Sequence, residues 1–188
     1  MGCRCRGIAD TLPVMRLRHA IVLLLAAAAA CGGNADAGPN AGDYFTKLER
    51  TSQTAHIQER GLSRDLRIRL DNVPSGEDRM GVLTVYVDQS ARLYQDVVDA
   101  LQQLDPPRDL AAAQQAYLQA WKEQLDLFVV VRDAGFSNAA KILDELGRPV
   151  FRDAVKETNT RCEDLQGAVD ASGSHVDLAC DGRPSSLA

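Results

Sequence analysis

The sequence predicts an all-α domain: an antiparallel up-down four-helix bundle with a C-terminal tail held by a disulfide bond. Aromatic residues make up only 5% of the 188 residues, whereas hydrophobic residues make up 45%. Ala, Leu, Gln and Arg are plentiful, and these residues favour helices over strands. Apolar residues also recur at three- and four-residue steps over four long segments, which is the spacing of one helix face.

The first predicted helix runs from about 43 to 72. Pro74 ends it, because proline lacks a backbone N–H and restricts the residue before it. The residues that fall on one face of this helix are Phe45, Leu48, Ser52, Ala55, Glu59, Leu62, Leu66, Leu70 and Val73.

The second predicted helix starts at Ser75 and ends near Leu104. Ser75 and Asp78 resemble a capping box, with Asp in place of the usual Glu. Its expected buried residues are Met80, Leu83, Val87, Ala91, Tyr94, Val98 and Leu101.

The third predicted helix has Asp105 as its N-cap and Pro106 at its first position. Gly135 is the expected left-handed stop at its end. Its expected buried residues are Leu110, Ala113, Tyr117, Trp121, Leu125, Phe128 and Val131.

The fourth helical region covers about 138–171, and Gly147 and Pro149 should kink or divide it. Because the connections between helices are short, consecutive helices should run antiparallel, as in an up-down bundle. The expected buried residues of this region are Leu143, Leu146, Val150, Ala154, Cys162, Leu165 and Val169.

The charge of the chain argues against a nucleic-acid partner. The formal net charge of −5 becomes −8 when residues 1–30 are removed, because that segment holds four arginines and one aspartate. Binding to nucleic acid needs clustered Lys and Arg that neutralise phosphates. An acidic surface is not attracted to anionic lipid either, so attachment to a membrane has to come from the N-terminus.

Residues 15–31 have the order of a secretory signal peptide. Arg16 and Arg18 form a short basic stretch, and an apolar run follows from Ala20 to Ala30. The run is far shorter than the ~20 residues that span a bilayer. A permanent transmembrane helix is therefore not expected.

Ala28-Ala29-Ala30-Cys31 resembles the lipobox of bacterial lipoproteins, in which small residues precede an obligatory cysteine. The resemblance covers only the first 31 residues and the linker that follows. It implies cleavage before Cys31, attachment of a diacylglycerol to the Cys31 sulfur, and anchoring in a membrane through these acyl chains. The three alanines also satisfy the A-x-A rule of ordinary signal peptidase, which would give a secreted protein instead.

The expected organisation has four parts. Residues 1–30 are the signal peptide, with Met15 as the expected true start; residues 31–42 are the lipid-bearing cysteine and a flexible tether. The bundle should cover 43–180, and 181–188 should be a disordered tail. The expected location is the cell envelope, with the domain facing the periplasm or the extracellular side.

Cys162 and Cys180 remain in the expected domain, and in an exported protein such a pair most often forms a disulfide bond. The residues just before Cys180 would then fold back along the last helix. The alternatives are two unpaired thiols or pairing with another chain.

His56 and Glu59 form an H-x-x-E pattern, whose members lie on one helix face. The pattern resembles the H-x-x-E of imelysin-like envelope proteins, although Thr54 stands where that family has glycine. A metal site in a bundle needs matching ligands from other helices, and no E-x-x-H occurs in the sequence. We therefore expect His56 and Glu59 to be surface residues and expect no metal site.

Four aromatic residues at helical spacing are expected in the core, although a ligand pocket between helices would use the same residues. They are Tyr86, Tyr94, Tyr117 and Trp121.

No motif for catalysis, nucleotide binding or haem attachment occurs, so neither catalytic residues nor a cofactor is expected. The predicted function is a non-catalytic structural or interaction module of the cell envelope, with an envelope protein or a cell-wall component as partner. The alternative is a lipoprotein that binds a small ligand or a metal.

Overall fold

Helices account for all the regular structure in the residues that the computed structural model describes, which are 41–73 and 76–181. In chain order they are α1 (Ala41–Asn72), α2 (Gly76–Gln102), α3 (Ala111–Asp133), α4 (Ala139–Leu146) and α5 (Pro149–Ala171). This part of the chain contains no strand, which confirms the all-α prediction. None of its helices combines the length and the apolar character needed to cross a bilayer.

Several predictions concern residues outside the described ranges. These are the signal peptide over 1–30, the lipidation of Cys31, the first part of the tether, the helix stop at Pro74, the cap at Ser75 and the tail beyond 181.

The buried faces of α2 and α3 confirm the apolar spacing of the sequence. Every predicted position on α2 except Met80 is buried, and Met80 packs against the core. Of the positions predicted for the third helix, every one except Ala113 is buried, and Ala113 is half-buried. These two helices carry most of the core, because their stripes continue without interruption through five or more turns.

The first helix begins at Ala41, two residues before the predicted start at Asp43. Leu48, Ser52 and Ala55 are fully buried, as the spacing predicts. The later stripe residues of α1, from Glu59 onward, are only half-buried. The deepest part of α1 is therefore its first half, where two polar positions, Ser52 and His56, lie in the core.

The predicted start of the third helix is wrong. Asp105 and Pro106 lie in an irregular connection, and α3 begins at Ala111 after a turn in which Leu110 N–H donates to Pro107 O over 2.9 Å. Because Pro107 follows Pro106, Pro106 is pushed out of the helical region and cannot serve as a first helical residue.

The end of α3 agrees with the sequence. Ala134 is the C-cap of α3, and Gly135 follows it with a φ of +56°. This left-handed conformation favours glycine, since other residues place Cβ too close to the backbone.

The fourth helical region is divided, as Gly147 and Pro149 predict. The N–H of Gly147 caps α4, and Arg148 adopts an extended conformation (φ −62°, ψ 145°) before Pro149 opens α5. The stripe predicted for this region is wrong at Leu143 and Val150, which are 39% and 40% exposed, and confirmed at Cys162, Leu165 and Val169, which are fully buried. Both misplaced residues lie within four positions of Gly147, where α4 ends and α5 begins.

Each long helix packs against the long helix that precedes or follows it in the chain. The pairs in contact are α1 with α2, α2 with α3, and α3 with α5, while α4 lies against α2 and α3. Residues 172–181, here called the C-terminal segment, turn back from α5 and bring Leu178 into the core.

Candidate functional site

A cleft of about 470 Å³ opens between the helices beside the core. Its lining residues are His56, Glu59, Arg60 and Ser63 of α1, Tyr86 and Tyr94 of α2, Phe128 of α3, Leu146 of α4, Phe151, Arg152, Val155 and Asn159 of α5, and Cys180 and Asp181 of the C-terminal segment. Its volume is in the range of pockets that hold small organic ligands.

One wall of the cleft is a cluster of aromatic rings centred on Phe128. Tyr86, Tyr94 and Phe151 meet the Phe128 ring edge to face, with ring centroids 5.9, 5.2 and 5.4 Å away. Edge-to-face pairs are a favoured arrangement of aromatic rings. The wall is therefore held in place by its own packing and presents an apolar surface to a ligand.

His56 and Glu59 form the polar end of the cleft. His56 is only 3% exposed, and its Nδ1 lies 3.9 Å from Oε2 of Glu59. The other Glu59 oxygen, Oε1, accepts a hydrogen bond from the Tyr94 hydroxyl over 3.1 Å. A carboxylate with an exposure of 17% thus stands at the junction of the aromatic wall and a buried imidazole.

Burial, and after it the charge of Glu59, raise the pKa of Tyr94 well above its usual value. Tyr94 therefore stays protonated at neutral pH, and its hydroxyl donates a hydrogen bond to Glu59. This hydrogen bond fixes the carboxylate and leaves Oε2 directed at His56 and the cleft.

The other side of His56 continues into a buried chain of hydrogen bonds. His56 Nε2 lies 3.2 Å from the Tyr117 hydroxyl, and that hydroxyl lies 3.0 Å from Oγ of Ser52. The Ser52 hydroxyl donates to the backbone carbonyl of Leu178 over 2.7 Å. Burial raises the pKa of Tyr117 to about 12, so this hydroxyl also keeps its proton.

Trp121 supports the site from behind. It is fully buried, and its ring centroid lies 5.6 Å from that of His56 and 5.4 Å from that of Tyr94. His56 and Tyr94, the two residues that contact Glu59, therefore both pack against the Trp121 ring. The geometry of the cleft thus depends on the packing of the core.

A disulfide bond between Cys162 and Cys180 attaches the C-terminal segment to α5. This confirms the pairing predicted from the sequence, and the segment folds back along α5 as expected. Gln166 of α5 donates to Val176 O and accepts from Leu178 N–H, each over 2.8 Å.

The segment also contacts α1, which the sequence did not predict. Gln53 donates to Asp177 O over 2.9 Å, Glu49 accepts from Asp177 N–H over 3.1 Å, and Ser52 donates to Leu178 O. The C-terminal segment thus joins the first and last helices, and Cys180 and Asp181 become part of the cleft.

The prediction that His56 is a surface residue is wrong. The structure buries it and brings it together with Glu59, Tyr86 and Tyr94 in one cleft. His56 can be buried because Tyr117, from a different helix, supplies a partner for its ring nitrogen. The H-x-x-E spacing within α1 carries no information about that partner.

One signal in the sequence pointed to this network. Ser52 and Glu59 fall on the apolar stripe of the first helix, and a polar residue on a buried face needs a hydrogen-bond partner. The contributions of Arg152 and Asn159 had no such signal, since their place in the cleft depends on how α5 packs against the other helices.

The described part of the chain contains no cluster of three or more His, Cys, Asp or Glu residues able to hold a metal ion. His56 and Glu59 supply two such groups, whereas protein zinc sites use three or four protein ligands. The arrangement is better suited to an organic ligand with hydrogen-bonding groups.

Comparisons with protein-family models, curated proteins and solved structures found no match to this chain. The function is therefore inferred from the geometry of the chain itself.

Proposed function

We propose that this protein is a membrane-anchored lipoprotein of the cell envelope whose helical domain binds a small organic ligand in the cleft. Of the two functions predicted from the sequence, ligand binding is the one that the geometry favours over a structural or interaction module. The observation that carries this choice is a buried histidine and a half-buried carboxylate at the end of an aromatic-walled cleft.

The exposed apolar residues give less support to a protein-binding face. They are spread over all five helices and are Ile57, Ile68, Val85, Val130, Leu143, Val150 and Val155. Single exposed apolar residues are ordinary on protein surfaces, whereas a binding face needs a contiguous patch.

The proposed activity is binding without catalysis. The Ser52 hydroxyl is fully buried and donates to a backbone carbonyl, so it is not available as a nucleophile for a substrate in the cleft. The Tyr117 hydroxyl is already hydrogen-bonded to Nε2 of His56. These contacts favour a structural role for the two hydroxyls, which is to hold His56 in one orientation.

We further propose that α1, α2, α3 and α5 form an antiparallel up-down four-helix bundle. Gln114, near the start of α3, donates to Leu101 O at the end of α2, while Phe128 of late α3 meets Tyr86 of early α2. The same reversal relates α3 to α5 through the pairs Gln124 with Thr158 and Phe128 with Phe151. Bundles of this kind hold ligands between their helices.

A blocked cleft tests the ligand-binding proposal. Val155 and Val150 are both on α5 and are 39% and 40% exposed, but only Val155 lines the cleft. We expect compounds from a screen of small molecules with an apolar ring to raise the thermal midpoint of the wild type and of Val150→Phe. Val155→Phe should lose most of that shift, because the larger side chain fills the space.

Equal shifts for the two phenylalanine variants would place the binding site elsewhere. A complete absence of ligand-induced shifts in the wild type would contradict the proposed function.

The anchor is supported by the lipobox-like sequence before Cys31 and by the disulfide bond, since disulfides are typical of exported proteins. We expect Cys31→Ser to leave unprocessed precursor or soluble protein, because the sulfur accepts the lipid and a hydroxyl is a much weaker nucleophile than a thiolate. Membrane fractionation and the mass of the N-terminal peptide measure this.

Cys180→Ser is the matched control and should fractionate with the membrane like the wild type. If Cys31→Ser also remains in the membrane fraction with an unchanged N-terminal peptide, the anchor is not at Cys31.

A further inference from the structure

The hydrogen-bond chain behind His56 determines which of its nitrogens carries a proton. The Leu178 carbonyl only accepts, so Ser52 donates its one hydroxyl proton there. Tyr117 must therefore donate its own proton to Ser52 Oγ, over 3.0 Å. The Tyr117 oxygen is then the acceptor in its 3.2 Å contact with His56, and His56 Nε2 is the donor.

In its neutral form the imidazole of His56 carries a single ring proton, and this assignment places that proton on Nε2. Nδ1 is then an acceptor, and it lies 3.9 Å from Oε2 of Glu59, which is an acceptor as well. Two acceptors cannot bond each other, and 3.9 Å is too long for a hydrogen bond between them. His56 Nδ1 and Glu59 Oε2 can therefore both accept hydrogen bonds from one donor group placed between them.

The electrostatic surroundings favour a positively charged donor. No Lys or Arg within residues 41–73 and 76–181 forms an ion pair with Glu59. Arg60 and Arg152 also line the cleft, but both side chains are exposed. Solvent screens exposed charges far more than a half-buried carboxylate, so the inner end of the cleft is selective for a cation.

We propose, building on the proposed ligand-binding function, that the ligand of the cleft is a primary amine. Its ammonium group donates hydrogen bonds to His56 Nδ1 and Glu59 Oε2, and its apolar body lies against the aromatic wall. A nitrogen about 2.9 Å from both acceptors subtends an angle of roughly 85° over the 3.9 Å between them, which two N–H bonds of one ammonium group can serve. Tyr86, Phe128 and Phe151 supply the apolar contact.

Three probes with similar aromatic bodies and different heads test this proposal: phenethylamine, phenylpropionate and phenylpropanol. Binding to the full-length protein at neutral pH is measured by calorimetry and by the fluorescence of Trp121, the only tryptophan of the chain. We expect phenethylamine to bind at least about tenfold more tightly than the other two, because a hydrogen bond to a charged group contributes more than a neutral one.

Glu59→Gln removes the charge and retains an oxygen that can accept from Tyr94. We expect it to weaken phenethylamine binding at least about tenfold and to leave phenylpropanol binding nearly unchanged. Glu123→Gln, at an exposed position on α3 outside the cleft, is the matched control and should bind like the wild type. Circular dichroism and thermal midpoints establish that each variant is folded.

The wild-type ranking of the probes does not depend on any variant. Tightest binding of phenylpropionate, or equal binding of phenethylamine and phenylpropanol, would overturn the amine proposal and retain the ligand-binding function. Zinc chloride alone is measured as a fourth probe, and zinc binding that is abolished by Glu59→Gln would overturn the amine proposal in favour of a metal. No binding of any of the three probes would overturn the amine proposal, and the small-molecule screen of the wild type would then decide the ligand-binding function separately.

Discussion

Trp121→Ala is expected to lower the free energy of unfolding by about 3–5 kcal/mol, the usual loss for a fully buried aromatic side chain. Trp121 has no exposed surface, and its ring packs against the rings of His56, Tyr94 and Tyr117. Alanine would leave a large cavity and remove the support beneath the two residues that meet Glu59. Urea denaturation followed by far-UV circular dichroism measures the change.

Val130→Ala is the matched control on the same helix, because Val130 is 66% exposed. Its effect should stay within about 0.5 kcal/mol. A loss below about 1 kcal/mol for Trp121→Ala would show that the centre of the core is not packed as described.

Cys180→Ser is expected to lower the free energy of unfolding by about 2–4 kcal/mol. The disulfide closes a ring between residues that are 18 apart in the sequence, and the bond restricts the unfolded chain. Its loss also weakens the hold on a segment that bridges α1 and α5 through Ser52 and Gln166. Chemical denaturation with and without dithiothreitol measures the contribution.

Reduction of the wild type should reproduce the effect of Cys180→Ser, and the reductant should not destabilise that variant further. Equal stability of the wild type under oxidising and reducing conditions would contradict the prediction. So would a mass that shows free thiols at both Cys162 and Cys180 in protein isolated from the envelope.

The two predictions concern different kinds of residue, and the sequence predicted them unequally well. Trp121 lies on a stripe that the spacing of α3 defines, so its burial follows from local periodicity. The disulfide was predicted from the compartment and from the number of remaining cysteines. Its consequence, a segment held against α1 as well as α5, depends on contacts between residues more than 100 positions apart.

The candidate site was only partly predictable. The aromatic residues and the H-x-x-E pair were identified from the sequence, and Ser52 and Glu59 were placed on the stripe of the first helix. The burial of His56 was not predicted, because it depends on Tyr117 and Trp121 of α3. The role of Cys180 in the cleft was missed for the same reason.

The sequence by itself determined the all-helical class, the stripes of α2 and α3, the stop at Gly135, the division at Gly147 and Pro149, and the partner of Cys162. Most of these features depend on backbone preferences or on spacing within one helix, which act over a few residues. The late start of α3 is a local effect of Pro107, whereas the tertiary structure decided the burial of His56 and the position of the C-terminal segment. Both this burial and this position are fixed by groups that are distant in the chain, and only packing brings such groups together.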